Sequence, residues 1–157
     1  MRINHILLLA FLLVANHFNL AAQGNQRILP SPTVEESKNF LKNNKKIKGI
    51  VVMPSGLQYK VIKEGNGAKP LSTDRVSLNY TLAYINGKVI DEDFKTAVWD
   101  HHIDKALPGM QEAVLSMPVG SRRIIYIPAN LAFGDSDQTV PPGSTIICEI
   151  ELLNAYK

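Results

Sequence analysis

Cysteine is nearly absent: the 157 residues hold one, Cys148. A solitary cysteine excludes an internal disulfide framework, and with no C-x-x-C a structural zinc has no ligands. Its alternating surroundings, TIICEIELL, mark Cys148 as a small buried hydrophobe rather than a nucleophile. His101 and His102 are adjacent and on a strand would point to opposite faces, a poor chelate. There is no G-x-S-x-G, no Walker loop and no pair of histidines on one helix face. Acyl transfer, phosphoryl transfer and metal hydrolysis therefore lack their residues, and no cofactor is expected. Charge of one sign is lacking too, since the formal net charge is only +3. The lysines bunched at Lys42, Lys45, Lys46 and Lys48 have no interleaved aromatics, so nucleic acid is not an expected partner. They read as a solvated helix end, where cations complement the helix dipole.

Long apolar runs are scarce as well. The stretch Ile6 to Val14, interrupted by Asn16 and His17, is too short to span a bilayer. With Arg2 before it and Ala21-Ala22 after it, residues 1–22 read as an export signal, giving a periplasmic or secreted protein. No cysteine stands near the cleavage point, so no stable membrane anchor is expected. Residues 23–54 read as a linker with a short helical arm, and 55–157 as one folded domain. The arm begins at a capping box, Thr33-x-x-Glu36, and carries Val34, Phe40 and Leu41. Alone it is too short to be stable in water, so its apolar side must dock on something.

What is present is one well-patterned helix among strands. Pro108 suits a first helical turn. Met110, Ala113, Val114 and Met117 then recur at i, i+3, i+4 and i+7, and Pro118 and Gly120 end the pattern. Strand signals lie on both sides. Ile50 to Met53 reads as an edge strand and Leu57 to Val61 as a half-buried one. From Arg75 to Ile85, Val76, Leu78, Tyr80, Leu82 and Tyr84 alternate with polar residues. Asn86-Gly87 is a hairpin turn returning Lys88-Val89-Ile90 as a partner strand. Arg122 to Ile127 and Thr145 to Leu153 complete the sheet, around a loop from Asn130 to Ser144. The fold class is α+β: a twisted antiparallel sheet wrapped around one short α-helix, with a short N-terminal helix. A cleft is expected at the N-terminus of the central helix, where Ala106 and Leu107 lead in.

The blocks LQYKVIKEGNGAKP, NYT, NGKVID, ALPGMQEA, IPANLAFG and VPPGSTIICEIELL, in this order, resemble FKBP-type peptidyl-prolyl isomerases. The similarity covers about Ser55 to Leu153, nearest to exported bacterial forms related to macrophage infectivity potentiator. It implies a peptidyl-prolyl cis-trans isomerase that assists folding of exported proteins and takes proline-containing polypeptides as partners. It also implies a helical dimerisation arm, reduced here to about Thr33 to Lys46, so a weak homodimer through that arm is an open expectation. Matched by position, the catalytic set is Tyr80, Asp91, Leu107 and Phe133. The substrate-binding set is Ile90, Trp99, Ala106, Met110, Val140 and Cys148. The family's floor tryptophan is Met110 here, its last-strand phenylalanine is Cys148, and its loop tyrosine is Phe133, which has no hydroxyl. The aromatic before the aspartate is Ile90. These departures imply reduced activity, or alternatively a non-catalytic chaperone or binding module for apolar peptide segments.

Overall fold

The computed structural model describes residues 30–90, 98–135 and 140–157. The export signal, residues 23–29 of the lead-in and the acidic run Asp91-Glu92-Asp93 lie outside the described residues. Helix α1 (Val34–Asn44) is followed by β1 (Ile50–Val52), β2 (Gln58–Lys63), β3 (Arg75–Tyr84) and β4 (Trp99–His102). A 3-10 turn (Ile103–Lys105) leads into α2 (Pro108–Leu115). Then come β5 (Arg122–Ile127), a second 3-10 turn (Ala129–Leu131) and β6 (Ile146–Tyr156). The strands form one six-stranded antiparallel sheet in the order β1-β2-β5-β6-β3-β4. The fold class is α+β, as expected.

Local chemistry explains the element boundaries. The Thr33 hydroxyl accepts from the Glu36 N–H while the Glu36 carboxylate accepts from the Thr33 N–H at 2.7 Å, a complete capping box. The Thr33 N–H, and after it the Thr33 hydroxyl at 2.8 Å, hold the exposed Glu36 carboxyl below its ordinary pKa. Pro108 is the first residue of α2, where its missing N–H leaves nothing unpaired. At the Asn86-Gly87 turn, Gly87 adopts φ 84° and donates to the Tyr84 carbonyl at 2.9 Å. Glycine reaches that left-handed backbone without the Cβ penalty.

The central strands are buried on both faces. Along β5, Ile125 and Ile127 face α2 while Ile124 and Tyr126 face the other way. On the α2 side the core joins Leu78, Leu82, Ile125, Ile127, Cys148 and Ile150 to Met110, Ala113, Val114 and Met117, the four residues of the helical stripe. On the reverse side Ile124, Tyr126 and Ile147 pack against Phe40 and Leu41 of α1, with Ile50 and Ile85. The Phe40 and Tyr126 rings lie 5.8 Å apart. Burial on this side pushes the Tyr126 phenol up to about 12. The arm's apolar residues thus dock on the chain's own sheet.

Two details depart from the sequence pattern. The partner strand expected over Lys88-Val89-Ile90 is a single bridge, Ala83↔Val89, flanked by Tyr84 N–H to Lys88 C=O and Ile90 N–H to Leu82 C=O. The other departure is β4, which no alternation announces. It is short, lies at the sheet edge, and carries Asp100, His101 and His102, all at least partly exposed. Cross-strand bonds hold it: Arg75 and Ser77 of β3 both reach the Asp100 carboxylate at 2.9 Å, and these contacts, Ser77 first, lower its pKa.

Candidate functional site

The site sits where α2 begins. The helix runs antiparallel to β5, because Gly109 near its start lies on Ile127 while Ser116 at its end meets Arg123. The contact at Gly109 is close: a Cβ there would fall 2.4 Å from Ile127 Cγ2 and 3.2 Å from the Leu131 carbonyl. At the other end Arg123, 4% exposed, donates to Ser116 Oγ at 2.7 Å and stacks 4.5 Å from the Tyr59 ring centre. A cation beside the carbonyl end of a helix complements its dipole. Its Nε is the one buried side-chain polar atom without a partner among the described residues.

The polypeptide entering α2 is stapled from within. Gln111 Nε2 donates to the Ala106 carbonyl at 2.8 Å and to the Asp104 carbonyl at 3.3 Å. The Gln111 N–H donates to the Leu107 carbonyl at 2.9 Å. Leu107 is the N-cap, in extended-type backbone (φ −56°, ψ 145°). Among the described residues nothing accepts from its N–H. That leaves the Leu107 N–H as a backbone donor at the positive end of a helix dipole, beside the unpaired first-turn N–H groups.

Nine of the ten residues singled out by sequence belong to the one large apolar core that packs around α2. Met110, Val140 and Cys148 are core members, and Tyr80, Ile90, Trp99, Ala106, Leu107 and Phe133 are partly buried against them. The tenth, Asp91, lies outside the described residues. The sheet register explains much of this convergence. Leu82 pairs with Cys148 and Cys148 with Ile125, while Tyr80 pairs with Ile150 and Trp99 with Leu78. The Ile90 N–H bond to Leu82 brings the hairpin's return arm to the same region.

Exposure separates the nine into wall and rim. Cys148 has no accessible surface, Val140 is 2% exposed and Met110 3%. Burial pushes the Cys148 thiol above its ordinary pKa, so at neutral pH it is a neutral hydrophobe. Trp99 stands at the rim with its ring 4.9 Å from that of His101. Among the described residues no group of three histidine, cysteine or carboxylate side chains could hold a metal ion. What the arrangement offers is an apolar surface with a free backbone donor beside it, chemistry suited to an apolar group carrying a carbonyl. Sequence reasoning missed Gln111 and Arg123. Both read as ordinary polar positions, and their partners are backbone or hydroxyl groups that no sequence pattern marks.

Comparison with known proteins places the chain in a family. The family model described as FKBP-type peptidyl-prolyl cis-trans isomerase matches residues 66–153, more than half of the chain. A model for the domain amino-terminal to such isomerases matches residues 13–61. "Outer membrane protein MIP" of Legionella longbeachae is 41% identical over 121 residues, 75% of this chain and 52% of that protein. The "FKBP-type 22 kDa peptidyl-prolyl cis-trans isomerase" of Escherichia coli is 39% identical over 121 residues, 75% of this chain and 59% of that one. The chain therefore spans about half the length of the curated relatives it matches. Among solved structures, FkpA from Escherichia coli superposes with a TM-score of 0.73 at 29% identity, over 77% of this chain and 58% of that one. An isomerase structure from Pseudomonas syringae shares the fold at the same TM-score and 24% identity, covering 82% of this chain and 99% of its own.

Proposed function

Because the chain belongs to the FKBP-type peptidyl-prolyl cis-trans isomerase family, we propose that it turns prolyl peptide bonds in other polypeptides. The supporting observation is that Tyr80, Ile90, Trp99, Met110, Phe133 and Val140 share one apolar core with Leu107, whose N–H is unpaired. Rotation about an amide is slow because the planar form keeps its resonance; the barrier is about 18–20 kcal/mol. In the twisted transition state that resonance is lost and the carbonyl is less polar. A dry apolar seat favours that state over the planar one, which is differential binding. In this reading the Leu107 N–H anchors the substrate carbonyl, and Trp99, Met110 and Val140 surround the proline ring. Phe133 closes the loop side without supplying a hydroxyl. Ile90 and Ala106 complete the rim, and Cys148 supports the floor from behind. Tyr80 faces the substrate amide, with Asp91 as the acid that orients it.

The domain plan follows: residues 1–22 as export signal, 23–54 as linker and arm, 55–157 as the isomerase domain, acting on exported proteins in the periplasm or outside the cell. Among the described residues no helix is long and apolar enough to cross a membrane. A homodimer through the arm would have to form with Phe40 and Leu41 already docked on their own sheet. Equilibrium sedimentation at micromolar concentration tests it.

One observation favours a second reading, a non-catalytic module gripping apolar segments. Met110, Val140 and Cys148 together expose almost nothing, so the floor is closed where an isomerase needs room for a ring. Refolding of a proline-limited substrate separates the two. We expect acceleration by the wild-type chain and a several-fold loss of kcat/KM in Asp91→Ala at an unchanged melting temperature. A wild-type chain that accelerates nothing, yet still binds an unfolded polypeptide, would establish the module instead.

A further inference from the structure

The N-terminal helix does more than cover apolar surface. The helix and the Pro30 segment before it contact both the Val140–Thr145 turn and the Ile85–Asn86 hairpin. On the loop side, Ser37 of α1 is 1% exposed, and its Oγ accepts from the Thr145 N–H at 3.2 Å. Its carbonyl accepts from Thr145 Oγ1 at 3.4 Å. Thr145 ends a tight turn in which Ser144 Oγ donates to the Pro141 carbonyl at 2.6 Å, directly after Val140. Gly143 of that turn donates to the Gly134 carbonyl at 3.4 Å, next to Phe133. Val34 packs on Gly143 so closely that a Cβ there would lie 2.8 Å from Val34 Cγ2. On the hairpin side, Asn86 Nδ2 donates to the Pro30 carbonyl at 2.7 Å, and Ile85 packs in the cluster of Phe40 and Leu41.

We propose that α1 is an intramolecular brace that sets the loop bearing Phe133 and Val140, with Ser37 as its positioning residue. The physical reason is the cost of the alternative. Without Ser37 Oγ, the buried Thr145 N–H has no partner, and an unpaired buried donor is expensive. The turn would move to find water, carrying Val140 away from the seat. Ser37 touches no substrate; it acts through Thr145. The inference rests on the isomerase reading for its kinetic arm alone.

The test compares the full chain with Ser37→Ala, Ser37→Thr, Val34→Ala and Phe40→Leu. Ser37→Ala should raise KM about five-fold, the equivalent of ~1 kcal/mol at about 1.4 kcal/mol per tenfold, with kcat within two-fold. Ser37→Thr keeps the acceptor and should restore KM. Phe40→Leu should lower the melting temperature without changing KM, because Phe40 packs on Tyr126 and not on the turn. Amide hydrogen exchange supplies a readout that needs no turnover. Ser37→Ala should speed exchange from Val140 to Thr145 about tenfold while amides of α2 are unchanged, and Val34→Ala, at an exposed site that cannot threaten folding, should do so more weakly. Unchanged exchange in both variants would overturn the brace even if the wild-type chain were inactive. An active wild type whose KM rises equally in Phe40→Leu would overturn it as well. A wild type without activity, but with the exchange effect, would strike only the isomerase reading.

Discussion

Gly109→Ala sets two known effects against each other at the point where the site is built. In a helix, alanine is preferred over glycine by up to ~1 kcal/mol, so propensity alone predicts stabilisation. The added Cβ, however, would fall 2.4 Å from Ile127 Cγ2 and 3.4 Å from Ile127 Cβ. An ordinary carbon contact is about 3.5–4.0 Å, so helix and strand must separate by more than about 1 Å. Ile127 has no exposed surface and no room to retreat, which places the overpacking cost in the upper part of its usual ~1–3 kcal/mol. The net expectation is a loss of ~1–2 kcal/mol, or a melting temperature lower by roughly 4–8 °C for a domain of this size. The same separation lifts Leu107 and Met110. A displacement of ~1 Å in a positioned group costs up to about 10²-fold in rate, so kcat/KM should fall at least tenfold. Thermal melting and proline-limited refolding read the two effects. The cause is isolated by Ile127→Ala, which alone costs ~2–5 kcal/mol but relieves the clash. The double variant should be less destabilised than the sum by at least ~1 kcal/mol. A Gly109→Ala protein melting at or above the wild type, or strict additivity in the cycle, would refute the reasoning.

Two further outcomes follow from the site. Cys148 should resist an aromatic disulfide reagent at pH 8 in the native state and react fully in denaturant, because burial raises the thiol pKa and leaves no thiolate to attack; rapid native reaction would show that the floor opens. Tacrolimus, the ligand that the family resemblance implies for this pocket, should bind weakly. Phe133 offers no hydroxyl, Met110 and Cys148 stand where two aromatic walls would be, and each loss costs about 0.5–1.5 kcal/mol, together about two orders of magnitude in Kd. Nanomolar binding by calorimetry would contradict this.

Much of the fold was legible because it rests on local rules. The capping box at Thr33 and Glu36, Pro108 at the first helical position and the Asn86-Gly87 turn each satisfy backbone groups within a few residues. The stripe Met110, Ala113, Val114 and Met117 is buried throughout, since helical period alone decides which face is apolar. β4 was not legible, because Trp99 to His102 owes its strand form to bonds from Arg75 and Ser77, over twenty positions earlier. The return strand after Gly87 is shorter than its turn signal implies, for the complementary reason. A turn signal fixes where the polypeptide reverses, not how long pairing continues, and here one bridge remains.

The amino-acid sequence by itself determined most of the elements, their order, the apolar face of each, and the family. Those are properties of short-range periodicity, of cap and turn chemistry, and of residue blocks in order. Tertiary structure alone decided that α1 folds back onto Ile124, Tyr126 and Ile147, that Ser37 meets Thr145 across 108 positions, and that Gln111 pins the lead-in to α2. A serine or glutamine side chain carries no preference for a partner so distant. Only once the sheet has twisted and closed around α2 do the buried donors and acceptors find one another, and the cost of leaving them unpaired then selects this arrangement.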